Sequence, residues 1–295
     1  MHGGCHAWAP VLIEKVANDL IARQVAAALA EDLGGGDVTA ALVPLQQQVR
    51  AQVIAREPAI LCGVDWASET FRQLDPGITI QWHASDGEPV VADQTILRLA
   101  GAARPILTGE RTALNFLQTL SATATAAHRY VAAVAGTGCQ ILDTRKTIPG
   151  LRLAQKYAAR CGGAQNHRLG LHDMVLIKEN HIIAAGSIAD AVATSRRTSP
   201  GVPVEVEVES LTEFEQALSA VADIIMLDEL SLDDMRTAVA RNRERGSKAR
   251  LEASGSVTLA KVRDIALTGV DYISIGGITK HVQAVDLSMR FEFNS

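Results

Sequence analysis

A chain of 295 residues with 47% hydrophobic and 21% charged residues has the balance of a folded globular protein and excludes a disordered one. The formal net charge of −5 excludes the basic surplus expected of a nucleic-acid binder, while leaving room for a local cationic pocket. Aromatic residues are only 4%, so the core must rest on Ala, Val, Leu and Ile, which favours helices packed on sheets.

The first segment reads as an amphipathic helix, with Leu12, Val16, Leu20 and Ile21 on one stripe and Gly34-Gly35-Gly36 as its stop. His2, Cys5 and His6 ahead of it carry metal-binding side chains, but a flexible terminus is the better reading. The cysteines, Cys5, Cys62, Cys139 and Cys161, are widely spaced and form no CxxC pair, so free thiols in a reducing compartment are expected. There is no basic n-region of a signal peptide and no uninterrupted apolar run of about 20 residues, so the expected location is the cytoplasm, off the membrane.

Short β-type runs follow at 49–56, 78–83 and 95–100, separated by turn signals at Asp75-Pro76-Gly77 and Asp86-Gly87. They predict an α+β region with a mostly antiparallel sheet. Residues 109–136 are helical in pattern. After Gly138 apolar strands (140–142, 174–177, 204–208, 224–227, 251–253, 272–275) alternate with helical segments (151–160, 188–197, 211–221, 232–245, 257–267). That alternation predicts a parallel sheet, closed or nearly closed into a barrel, with a doubly wound open sheet as the other solution.

The candidate site lies at the strand ends, which emerge on one face of a parallel barrel. The first strand runs into Asp143-Thr144-Arg145-Lys146, the second into Lys178 and the fourth into Asp228. The third carries Glu205, Glu207 and Glu209. In alternation these point to one face of a strand normally covered on both sides, so at least one should meet a cation, Lys178 or Lys146. Lys178 itself reads as a buried lysine that needs a partner. Ser254-Gly255-Ser256 is predicted to run straight into a helix near Val257, and Gly276-Gly277 is a second turn of the kind that binds phosphate. His167 and Arg168, in the loop before the second strand, join Arg145, Lys146 and Lys178 in a cationic cluster. A planar dicarboxylate suits such a cluster, because an arginine fork binds a carboxylate with two hydrogen bonds. His167, His172 and His181 lack metal-ligand spacing.

These residues resemble the quinolinate phosphoribosyltransferase family. The match runs from Leu142-Asp143-Thr144-Arg145-Lys146-Thr147 through Pro149-Gly150-Leu151-Arg152, Arg160-Cys161-Gly162-Gly163 and Asn166-His167-Arg168 to Asp173-Met174-Val175-Leu176-Ile177-Lys178 and Asn180-His181-Ile182. Gly36-Asp37-Val38-Thr39, Glu110-Arg111-Thr112-Ala113-Leu114-Asn115 and Thr279-Lys280-His281-Val282 extend it over nearly the whole chain. The resemblance implies an N-terminal α/β sandwich (1–115, joined by 280–295) and an open seven-stranded α/β barrel (116–279).

It also implies the reaction. Quinolinate and phosphoribosyl pyrophosphate give nicotinate mononucleotide, pyrophosphate and CO2, with Mg2+ accompanying the pyrophosphate and no protein-only metal site. By position, Arg145, His167, Arg168 and Lys178 should hold the quinolinate carboxylates, with Arg111 supplied across a homodimer interface. Thr144 falls in the substrate-binding motif. Lys146, Glu207 and Asp228 should face the ribose and pyrophosphate; with Lys178 they form the expected catalytic set. Ser254, Gly255, Ser256, Gly276, Gly277 and Ile278 should cradle the phosphate. The sequence departs from the family at Glu229 and Ser256, where Asn is common, and at Gly277-Ile278, where Ala-Leu is. A molybdenum-transport-associated paralogue with another substrate, a Schiff-base aldolase using Lys178, and a non-catalytic metabolite sensor are the rival readings. The intact arginines and the presence of Lys146, Glu207 and Asp228 argue against them.

Overall fold

The computed structural model describes residues 15–292. The expected role of Leu12 in the first helix, and the group His2, Cys5 and His6, lie outside them. Helix α1 (Asn18–Leu33) buries Ile21, Val25 and Leu29, four residues apart along one face, and ends at Gly34. The buried stripe therefore starts at Ile21, later than the sequence pattern predicts, and Val16 precedes the helix.

Strand β1 (Gln48–Ala55), the short β2 (Ala59–Ile60), helix α2 (Val64–Leu74), β3 (Thr79–Trp82), β4 (Pro89–Val90) and β5 (Thr95–Ala102) come next, and β5 runs directly into the long α3 (Ala103–Ala133). The helix starts six residues before the predicted 109. Pro105 is no obstacle there, because a proline in the first turn forfeits only an N–H that the helix leaves unbonded.

Helix α2 has no clear start signal in its own sequence. Its first N–H groups, on Gly63 and Val64, donate to Asp86 Oδ1 at 2.9 and 3.1 Å, so the cap comes from 22–23 residues away. Its buried face is Trp66, Ala67, Thr70 and Phe71. Gly109 admits this helix against α3, since a Cβ there would sit 2.8 Å from Leu74 Cδ1 and 3.1 Å from the Phe71 ring.

In the remainder of the chain, β6 (Gln140–Leu142), α4 (Arg152–Cys161), β7 (Val175–Ile177), α5 (Glu179–Ala185), α6 (Ile188–Thr198), β8 (Val204–Val208), α7 (Leu211–Ser219), β9 (Ile224–Asp228), α8 (Leu232–Glu244), β10 (Arg250–Ser254), α9 (Val262–Ala266), β11 (Tyr272–Ser274), α10 (Gly277–Lys280) and β12 (Leu287–Glu292) follow in order. Two sheets carry the architecture. An antiparallel one has the order β12-β1-β5-β3, so the end of the chain pairs with β1. A six-stranded parallel one has the order β6-β11-β10-β9-β8-β7. Its first and last strands in sequence, β6 and β11, are neighbours, as in a barrel. Gln165 makes a single parallel bridge to Leu142 on the outer side of β6. It fills the seventh position with one residue, and the sheet is open between it and β7.

By contacts the chain forms two units. One holds residues up to Ala124, Leu153–Cys161 and Gln283 onward; the other holds Thr125–Arg152 and Gly162–Val282. The expected division at 115/116 falls inside α3. Helix α4, read from sequence as a barrel helix, counts with the first unit. The Tyr157 hydroxyl donates to Asp86 Oδ2 at 2.8 Å, the Tyr157 ring lies 6.0 Å from Trp66, and Gln155 Nε2 donates to Thr123 Oγ1 at 3.2 Å. Burial raises the Asp86 carboxyl above its ordinary range, against the three donors that hold it.

The helix predicted from Val257 begins at Val262 and has five residues. Gly255 (φ +95) and Ser256 (φ +36) turn the backbone after β10, and the first helical hydrogen bonds, from the Lys261 and Val262 N–H groups, go to Thr258 O.

Candidate active site

Within the second unit the parallel register sets the site. Ser254 is level with Asp228 across β10 and β9, Ser274 with Leu142 across β11 and β6, and Ile177 with Val206 across β7 and β8. The strands are parallel, so the residues that follow them emerge at the same end of the sheet, as the strand-end rule requires. Lys178, one past Ile177, comes level with Glu207, one past Val206, and the two form an ion pair. The side chain of Lys178 is 45% exposed, so the lysine is not buried as predicted. It sits just beyond the strand as the N-cap of α5, with its backbone N–H bonded to His181 Nδ1 at 3.0 Å.

The three alternating glutamates part company. Glu207 meets Lys178, as expected. Glu209 is exposed beyond the strand, and its N–H bonds Glu213 Oε2 at 2.8 Å. Glu205 is fully buried, with its Oε2 2.9 Å from His167 Nε2.

The cationic loop after β6 is held from below by Asp143. Its buried carboxylate accepts from the His167 N–H at 3.0 Å and from Asn166 Nδ2 at 2.6 Å. This ties the loop carrying His167 and Arg168 to the start of the loop carrying Arg145. Thr144 Oγ1 accepts from the Lys146 N–H at 3.1 Å. Buried Nε of Arg145 has no hydrogen-bond partner among the described residues, an N–H left for an anion. Arg168 is half-buried and donates to Met174 O at 3.3 Å. Burial and the neighbouring charge of Arg145 pull its guanidinium below the ordinary value. Two neighbouring cations drawn partly out of water favour an anion between them.

Lys146 is exposed and crosses the β11 turn, where a Cβ on Gly276 would lie 2.9 Å from its Cδ. Buried Thr279 donates to Lys146 O at 2.8 Å and fixes that crossing. Gly276 and Gly277 are half-buried, but Ile278 is wholly buried and its N–H bonds Ile275 O, so Ile278 is better read as the floor of the turn than as a ligand contact. Asp228 ends β9, half-buried.

At the neighbouring turn Glu229 (φ +53) and Ser256 (φ +36) both take left-handed backbone, and the Ser256 hydroxyl donates to Glu229 Oε1 at 2.6 Å. A Cβ on Gly255 would stand 2.5 Å from the Glu229 carboxyl carbon. Arg111 lies on α3 in the first unit and is exposed. The residues that sequence reasoning did not assign are Asp143, Asn166 and Glu252. An acid inside the apolar strand Leu251–Ala253 was the available signal for the last.

Family models for the quinolinate phosphoribosyl transferase C-terminal and N-terminal domains match residues 123–290 and 37–121. The chain belongs to the quinolinate phosphoribosyltransferase family. A probable nicotinate-nucleotide pyrophosphorylase (carboxylating) of Synechocystis sp. is 44% identical, over 90% of each chain. The nicotinate-nucleotide pyrophosphorylase (carboxylating) of Mycobacterium leprae is 40% identical, over 92% of this chain and 96% of that protein. Among solved structures, the nicotinate-nucleotide pyrophosphorylase of Francisella tularensis superposes with a TM-score of 0.92 at 50% identity, covering 95% of this chain and 99% of the other.

Against the family pattern, the two departures Glu229 and Ser256 are explained together. Both stand at left-handed positions that asparagine favours, and here they bond one another across adjacent strand ends.

Proposed function

We infer that this chain is a quinolinate phosphoribosyltransferase: it joins quinolinate to phosphoribosyl pyrophosphate and releases pyrophosphate, CO2 and nicotinate mononucleotide, a precursor of NAD. The observation that carries the reading is the set Arg145, Arg168, Lys178, Glu207 and Asp228 at one end of a parallel barrel, in a chain whose relatives carry that name over nearly full length.

Arg145 and Arg168 take the dicarboxylate, with His167 and Lys178 beside them. So held, the ring nitrogen is presented to the anomeric carbon, and positioning of this kind accounts for much of the rate. As pyrophosphate departs, positive charge grows on the ribose, and Glu207 and Asp228 stabilise it electrostatically. Lys146 meets the pyrophosphate, while Ser254, Gly255, Ser256, Gly276 and Gly277 receive the ribose phosphate through the turns. Mg2+ enters with phosphoribosyl pyrophosphate as part of that substrate, coordinated chiefly by its phosphates. After transfer the ring nitrogen is cationic and stabilises the electron pair left at the adjacent carbon as CO2 leaves, and that carbon then takes up a proton from water.

The working unit is a homodimer in which Arg111 of one protomer completes the site of the other. Among the described residues no helix is long and apolar enough to cross a membrane, and Cys62, Cys139 and Cys161 are free, which supports a reducing cytoplasm. The test is direct. Pure protein with quinolinate, phosphoribosyl pyrophosphate and Mg2+ should yield pyrophosphate and nicotinate mononucleotide in equal amounts. Neither product would end the reading, and turnover of nicotinate in place of quinolinate would move it to a non-decarboxylating relative.

A further inference from the structure

Behind the cationic cluster, inside the barrel, three titratable side chains meet out of water. Glu205 on β8 and Glu252 on β10 are fully buried, and the His167 side chain is 6% exposed. His167 Nε2 lies 2.9 Å from Glu205 Oε2 and 3.5 Å from Glu252 Oε2. One ligand-type atom from each of the three falls within 4.8 Å of the others. Two ionised carboxylates so placed would repel each other at low dielectric, so the pair has to hold a proton.

The histidine is constrained from the other side. An imidazole that donates from Nε2 to Glu205 can attract a substrate carboxylate only when Nδ1 is protonated as well. An imidazolium, one carboxylate and one neutral carboxyl sum to zero charge, which spares the buried triad a net charge.

We propose that Glu205 and Glu252 are positioning residues for quinolinate binding: they share one proton, hold His167 as an imidazolium through Nε2, and so keep a cation behind the dicarboxylate clamp. This rests on the functional reading above. Burial, then the charge of Glu205, pushes the Glu252 carboxyl up to about 8, and burial pushes Glu205 up to about 7, so the pair retains a proton near neutral pH. The other groups facing the pair are the Ser274 hydroxyl on β11, Tyr272 on the same strand, Arg168 in the loop, and the Lys178–Glu207 pair. Among them Arg168 and Lys178 favour the ionised form of Glu205 and Glu207 opposes it, so Glu205 is the member that stays charged.

The dependence on pH follows with a definite sign. Above about 8 the shared proton leaves, the triad turns net negative, and the dicarboxylate is repelled. The KM for quinolinate should then rise about tenfold in the native enzyme while that for phosphoribosyl pyrophosphate stays level. Glu252→Gln, isosteric with the neutral carboxyl, should flatten that rise. Glu205→Gln removes the counter-charge and should raise the quinolinate KM about tenfold already at neutral pH.

The experiment is steady-state kinetics on the native chain and both variants from mildly acidic to alkaline pH, with 15N NMR of the His167 ring in native protein. Two protonated ring nitrogens at neutral pH, with the KM pattern above, support the proposal. A neutral ring, an unaltered alkaline rise in Glu252→Gln, equal changes in both KM values, or a stoichiometric divalent metal in the triad by elemental analysis would each overturn it. If a variant fails to fold, the native spectrum decides. A native chain that makes no nicotinate mononucleotide fails the functional reading, and the same spectrum still judges the triad.

Discussion

At the scale of single residues, one difference of environment divides the basic side chains of the site. Lys178 and Lys146 are exposed at strand ends, whereas Arg145 and Arg168 are drawn partly out of water, and the charge of Arg145 acts on Arg168. Exposed lysines gain little from pairing, and half-buried guanidinium groups gain much from a planar anion. Arg145→Ala should therefore weaken quinolinate binding by about 2–4 kcal/mol while changing phosphoribosyl pyrophosphate binding little, measured by calorimetry with each substrate alone. Equal losses would remove Arg145 from the clamp. At Gly255 two penalties coincide, a φ of +95 and a Cβ position 2.5 Å from the Glu229 carboxyl carbon. Gly255→Ala should lower stability by about 1–3 kcal/mol in urea unfolding. Adding Glu229→Ala should restore only part of that, because it relieves the contact and leaves the backbone strain.

Elements differ in how locally they are specified. Helices α6, α7 and α8 each open on a serine, Ser187, Ser210 and Ser231, whose hydroxyl accepts the N–H of the acidic residue three positions on. These starts sit in four consecutive residues, and the helices match the predicted segments to within two residues at each end. Ser231→Ala should cost about 1 kcal/mol in thermal unfolding and leave turnover intact; a loss of turnover would tie α8 to the chemistry. Helix α2 is the opposite case, since the carboxylate that caps it, Asp86, arrives only when the chain folds back. Helix α9 also departs from its local pattern, starting at Val262, five residues after the expected Val257.

For the whole molecule, the proposed assembly makes a prediction that no single-chain experiment reaches. If Arg111 serves the partner's site, Arg111→Ala and Arg145→Ala are each inactive alone, but a heterodimer of the two carries one intact site. Random remixing makes half the dimers hetero, so activity should return to about a quarter of the native level. No recovery, with subunit exchange verified by mass spectrometry, would place Arg111 in the site of its own chain. This test concerns connectivity between protomers and is independent of the buried triad, which lies within one barrel.

The sequence by itself determined the alternation of strand and helix, the antiparallel character of the first sheet, and the residues that end the strands. Those features depend on neighbours a few positions apart: apolar runs, turn residues and helix starts. It also carried the motif proposed to hold the dicarboxylate, because Asp143 through Lys146 and Lys178 through Ile182 are continuous in the chain. Tertiary structure alone decided which charged residues became neighbours. Glu205, read as one of three equivalent glutamates, was drawn inside against His167, and Glu252 came to it across the intervening β9. Lys178 stayed at the surface and took Glu207 through strand register. Burial and long-range pairing depend on the packing of strands far apart in the chain, and no local pattern encodes how deep a carboxylate on one strand face will lie in the folded sheet.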